Sequence, residues 1–189
     1  LMLGTPKQSL QSLDESLNFI ADSGVPHISA YMLKIEDGTP FYRLKDRLPL
    51  PNEDETAEMY LKTVDRLESM GIMQYEISNF AKAGFESRHN IKYWKLVPYL
   101  GLGKSAHSFW GGKRFHYDAD FNKIDDGTGG GAEEQIMLGL RLKSGIDEAL
   151  LKADASPYVS AGFMERRGSK INFTPKGFLV SNTIISELI

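Results

Sequence analysis

The chain has 189 residues, 41% of them hydrophobic, a formal net charge of -3 and no cysteine. That composition gives one domain or one and a half with a sizeable core, and it excludes a disordered chain, a disulfide framework, a thiolate metal site and a cysteine nucleophile. The slight negative charge argues against an electrostatic nucleic-acid partner, and no uncharged apolar run is long enough to span a membrane. With no signal peptide visible, the expected location is the cytoplasm.

Leu1-Met2-Leu3 reads as a buried strand running into the loop Gly4-Thr5-Pro6. A start inside a strand, with no initiator Met, suggests a piece of a longer protein. Ser9 can cap a helix whose apolar face is Leu10, Leu13, Leu17, Ile20 and Ala21, with Gly24 as its stop. His27 to Leu33 is the next strand, followed by turn chemistry from Glu36 to Pro40. Asn52 and Glu55 have the spacing of a capping box, and the helix they open turns Tyr60, Leu61, Val64 and Leu67 inward before Gly71. Met73 to Ile77 is a third strand. This alternation predicts parallel strands, with chemistry in the loops after strand ends: 4–8, 34–40 and from Ser78 onward.

The last of those loops leads into the densest chemistry of the chain. His89-Asn90-Ile91-Lys92-Tyr93-Trp94 has helical spacing, with His89 and Tyr93 one turn apart in one row and Asn90 and Trp94 in the next. An imidazole, a phenol, an amide and an indole on one broad face suit a flat aromatic ligand, and equally suit packing against a sheet. Gly101 and Gly103 lack the spacing of a dinucleotide or phosphate-loop fingerprint. Ser105 to Phe109, Gly111-Gly112 and Lys113 to Phe115 read as a hairpin.

Residues 118–132 are thin in apolar side chains and read as a linker or as a place where residues are missing. They set the expected boundary between 1–117 and 133–189. Beyond them, Glu133 to Arg141 predicts a helix with Ile136, Met137 and Leu140 inward, and 147–152 and 156–161 are short helices. Phe163 to Arg167 and Ile171 to Phe173 flank Gly168-Ser169 as a hairpin. Thr174 caps a final helix with Pro175 at its first position and Phe178, Leu179, Ile184, Ile185 and Leu188 inward. Helices with a small hairpin suggest a winged-helix-like module. Its few basic residues (Arg166, Arg167, Lys170, Lys176) favour packing over DNA reading.

Tyr75-Glu76-Ile77-Ser78-Asn79-Phe80-Ala81, Gly84, Ser87, His89-Asn90 with Tyr93-Trp94, Tyr99-Leu100-Gly101-Leu102-Gly103 and Ala106-His107-Ser108 together resemble the oxygen-independent coproporphyrinogen III oxidase-like radical SAM family. The His-Asn-x-x-Tyr-Trp segment resembles its HemW-type heme-chaperone branch. The resemblance spans nearly the whole chain and implies an α/β (α+β overall) fold: the C-terminal part of a partial (β/α) barrel, then the winged-helix-like module. It implies S-adenosylmethionine and a 4Fe-4S cluster in the whole protein. The cluster cysteines are absent here, so this chain alone is expected to be inactive as a radical enzyme. Carried over by position, Met2, Tyr31, Lys34 and His107 would line the S-adenosylmethionine side. His89 would be the heme-iron ligand, with Asn90, Tyr93 and Trp94 shaping the heme site. The resemblance implies heme-accepting apoproteins as partners. Two other readings stay open. One is a coproporphyrinogen III dehydrogenase, for whose acidic substrate Lys34, Arg88, Lys92 and Lys104 are candidate contacts. The other is a non-catalytic interaction module.

Overall fold

Capping chemistry starts both long helices of the first half. Ser9 Oγ accepts from the Ser12 N–H and Ser12 Oγ accepts from the Ser9 N–H, opening α1 (Leu10–Ser23), which Gly24 closes. Asn52 Oδ1 accepts from the Glu55 N–H at 2.8 Å and Glu55 Oε2 from the Asn52 N–H at 2.8 Å, opening α2 (Glu53–Ser69). Three acids, Glu53, Asp54 and Glu55, sit in that first turn, where the helix dipole favours them. Asn52→Ala is expected to lower stability by about 1 kcal/mol, read as a lower urea midpoint with an unchanged slope.

The computed structural model describes all residues, 1–189, as two compact units, Leu1–Glu86 and Ser87–Ile189. The first division therefore falls ahead of the 118–132 stretch. In the first unit Leu13 and Leu17 of α1 and Met59, Tyr60, Val64 and Leu67 of α2 are buried. The apolar face of α1 is narrower than its spacing predicts, because Ala21 is exposed.

The expected strand from His27 to Leu33 is broken at Ala30. Its second piece, β3 (Tyr31–Met32), pairs in parallel with β1 (Met2–Leu3), setting Met2 beside Tyr31. Its first piece, β2 (His27–Ser29), joins another sheet in which β5 (Asn79–Ala81) lies between β2 and β4 (Met73–Glu76) and runs antiparallel to both. This corrects the expectation of parallel pairing throughout. The helix-linked strands β2 and β4 do share a direction, but the turn at Ile77-Ser78 folds the chain straight back and inserts β5 between them.

The second unit begins with α3 (Arg88–Trp94), capped by Ser87 Oγ accepting from the Asn90 N–H. β6 (Ser108–Trp110) and β7 (Lys113–Tyr117) form the expected hairpin over Gly111-Gly112, both at positive φ as such a two-residue turn requires. The stretch read as a linker contains β8 (Lys123–Thr128), antiparallel to β7. Every residue of β8 is exposed. Backbone pairing holds the strand, and its composition therefore gave no sign of it.

α4 (Ala132–Gly139) buries Ile136 but leaves Met137 exposed, contrary to the sequence reading; Leu140 is buried just past its end. β9 (Ile146–Asp147), α5 (Ser156–Ser160), β10 (Met164–Arg167) and β11 (Lys170–Phe173) follow, and the strands order β10-β11-β9, all antiparallel. The final helix is two: α6 (Pro175–Leu179), capped by Thr174, and α7 (Ser181–Leu188). Phe173, Phe178, Ile184, Ile185 and Leu188 close this core, with Leu179 only half-buried. No helix is long and apolar enough to cross a membrane.

Candidate functional site

The seven-residue helix α3 buries no residue fully: Asn90, Ile91 and Trp94 are half-buried, while Arg88, His89, Lys92 and Tyr93 are exposed. His89 and Tyr93 meet as the i, i+4 spacing predicts: the Tyr93 hydroxyl lies 2.8 Å from His89 Nε2, with the rings edge to face at 4.9 Å. Tyr99 packs edge-on against Tyr93 at 4.6 Å. These three rings, with Leu100, Leu102 and His107, border a hollow of about 540 Å³. Leu102 is 92% exposed and Leu100 58%, leaving apolar surface beside the imidazole with nothing over it. The size is within the ordinary range for small-molecule sites.

With Nε2 engaged by Tyr93, the nitrogen of His89 available to a metal is Nδ1. Metal-ligating imidazoles commonly have their second nitrogen tied in this way, which fixes the ring's orientation. The donor set therefore fits a heme iron. It does not fit an iron–sulfur cluster, because the chain supplies no thiolate.

The broad single face read from the sequence is divided. Five residues at about 100° each carry Trp94 roughly 140° around the helix from His89. Trp94 lines a separate hollow of about 790 Å³ with Phe109, Gln135 and Leu142, its Nε1–H buried without an acceptor. Asn90 is half-buried. Arg88 and Lys92 are exposed on the helix, and Lys104 lies 5.2 Å from the Phe121 ring centre.

His107 belongs to the same hollow as His89 and Tyr93. Its Nδ1 lies 3.0 Å from Asp126 Oδ2, and His116 Nδ1 lies 2.9 Å from both oxygens of that carboxylate. Hydrogen bonding from His116, then from His107, holds the Asp126 carboxyl below the usual range for aspartate. Neither His116 nor Asp126 was singled out by the sequence, and no spacing rule connects residues 10 apart on different strands. Tyr99 was legible only as part of a motif.

In the first unit Met2 and Tyr31, register partners across β1 and β3, are 44% and 46% exposed, so an apolar strip lies open there. Lys34 is solvated and paired with Glu36 at 3.0 Å.

No family model matches the chain. Over its whole length it is 34% identical, across 218 residues, to the heme chaperone HemW of Bacillus subtilis (strain 168), and it spans 58% of that protein. It is 37% identical over 153 residues to radical S-adenosyl methionine domain-containing protein 1, mitochondrial, of Mus musculus, a match covering 80% of this chain and 32% of the mouse protein. Among solved structures, coproporphyrinogen III oxidase (HemN) from Escherichia coli, a radical SAM enzyme, is similar with a TM-score of 0.66 over 98% of this chain and 53% of that one. At 17% identity that likeness carries the fold alone.

Proposed function

Because this chain belongs to the oxygen-independent coproporphyrinogen III oxidase-like radical SAM family, on its HemW-type side, we propose that it is the C-terminal portion of a heme chaperone and that its heme contact is the hollow beside α3. The observation that carries this reading is a solvent-facing imidazole, His89, oriented through one nitrogen by Tyr93 next to open apolar surface. A histidine nitrogen is an ordinary axial ligand of heme iron, and the tyrosine rings and leucines would cover part of a porphyrin face. Tyr93 orients the ligand. Asn90, half-buried on the same helix, and Trp94, on the wall of the other hollow, would shape the site only through the placement of α3. S-adenosylmethionine and the 4Fe-4S cluster would be held by the whole protein, the cluster on thiolates from outside this chain. Of the residues expected at S-adenosylmethionine, Met2 and Tyr31 would face it from their open strip, Lys34 would reach it only by leaving Glu36, and His107, which borders the hollow beside α3, would serve the heme contact instead. Partners would be apoproteins that accept heme, in the cytoplasm.

Hemin titrated into the 189-residue chain tests the heme contact. His89→Ala is expected to weaken binding at least about ten-fold and to move the Soret band, since even groups that merely orient a ligand are worth that much. Tyr93→Phe should keep the ligand and its spectrum while lowering affinity less. Equal affinity and an unchanged Soret band in His89→Ala would remove His89 as the ligand.

A further inference from the structure

The sheet β6-β7-β8 carries a second constellation, outside the heme contact except for His107. His107 immediately precedes β6, His116 is on β7 and Asp126 on β8, so two adjacent strands and the residue leading into a third deliver the three side chains. His116 pairs across the ladder with Ile124. Asp126 falls where the register jumps from Phe115↔Asp125 to Arg114↔Gly127, and it has no partner of its own. A bulge of this kind re-aims a side chain. Here it accompanies a carboxylate reached by two imidazoles whose ring centres are 4.7 Å apart.

We infer that His107, His116 and Asp126 form a binding site for a divalent transition-metal ion. One nitrogen from each imidazole and one carboxylate oxygen lie within 4.8 Å of one another. The two nitrogen–oxygen separations, 3.0 and 2.9 Å, match the roughly 3 Å between neighbouring ligand atoms around an ion with bonds of about 2.0–2.1 Å. Protonated at Nδ1, both rings donate to Asp126. With those protons moved to Nε2, the same three atoms turn lone pairs toward one point. Two imidazoles and one carboxylate with positions left open is a donor set for zinc, iron(II) or cobalt(II), not for calcium or magnesium. The open side is toward His107, whose side chain is 63% exposed, against 24% for His116 and 25% for Asp126. As hydrogen bonds alone, two imidazoles on one surface carboxylate would add little stability.

The site does not rest on the heme reading, because His116 and Asp126 are not on the wall of that hollow. Cobalt(II) titrated into the 189-residue chain tests it, since no cysteine competes for the ion. One ion per chain is expected, with visible d–d bands, displaced by zinc. His116→Ala and Asp126→Asn should each raise the dissociation constant at least about ten-fold, while His27→Ala leaves it unchanged. Far-ultraviolet circular dichroism of each variant separates lost binding from lost fold, and Asp126→Asn on an exposed strand keeps the shape of the side chain. Absence of saturable 1:1 binding, or binding retained in both variants, overturns the assignment and leaves a surface hydrogen-bond pair.

Discussion

Gly145→Ala is expected to lower the stability of the second unit by about 3 kcal/mol or more, from two causes that can be separated. Gly145 has φ +60°, where a Cβ costs about 1–2 kcal/mol. The added Cβ would also lie 2.0 Å from the Ile171 carbonyl oxygen and 2.8 Å from Asn172 Cβ. Neither can give way freely: Ile171 is fully buried, Asn172 is 1% exposed, and Ile171 is the register partner of Ile146. Forcing them apart adds about 1–3 kcal/mol of overpacking. Gly168→Ala is the internal control. Gly168 has φ +64° with nothing within 4 Å, so it should show the backbone cost and no clash. Urea denaturation of both variants, followed by the fluorescence or circular dichroism of the chain, checks the difference. Equal losses would mean that the β9 edge yields and that its approach to β11 carries no constraint.

That approach was invisible in the sequence, where residues 147–152 read only as a short helix. β9 is two residues long, too short for periodicity to announce, and its identity comes from a partner more than twenty residues away. The features that were legible are local ones. Ser9, Asn52 and Thr174 each meet a backbone N–H three residues on, so one turn of chain contains the whole signal. The Gly111-Gly112 hairpin is local in the same sense. β8 and β5 were missed for the opposite reason. Each is defined by the strand it pairs with, and in β8 no side chain is buried to mark it.

The candidate sites divide along the same line. His89 and Tyr93 are one helical turn apart, and their contact follows from that spacing. Trp94, one residue past Tyr93 and about 100° further around the helix, lines the other hollow. His116 and Asp126 converge only because β7 and β8 pair and the ladder bulges at Asp126. No reading of spacing contains that event. Stability in these units is therefore set partly by positions that look ordinary in the sequence.

The motif from Tyr75 to Asn79 shows the reverse case, a family signature that here serves the core. Gln74, Glu76 and Asn79 are all buried polar residues. Gln74 Nε2 donates to the Tyr60 hydroxyl at 2.7 Å, Asn79 Oδ1 accepts from Ser29 Oγ, and Glu76 Oε1 accepts from the Ser78 N–H at 3.1 Å. The consequence with the largest expected pH effect falls on Tyr60. Burial pushes its phenol up from 10.0 to about 12; the Gln74 hydrogen bond acts in the opposite direction, and the nearby Glu76 charge raises it further. The folded state thus holds the proton more tightly than the unfolded chain. The associated stability is complete below pH 10 and is lost as pH climbs from 10 toward about 12. Two units correspond to about 2.7 kcal/mol. Tyr60→Phe should remove this alkaline slope. At neutral pH the same change should cost about 1–3 kcal/mol, because it removes the shorter of the two acceptors of Gln74 Nε2 and leaves only the Ile77 carbonyl at 3.3 Å. Subtracting the two stability-against-pH curves cancels the surface phenol Tyr158, which its hydrogen bond to Glu187 also shifts upward. A difference curve that stays flat between pH 10 and 12 would show that Tyr60 titrates as it does in the unfolded chain, and the buried brace beneath β4 and β5 would lose its polar character.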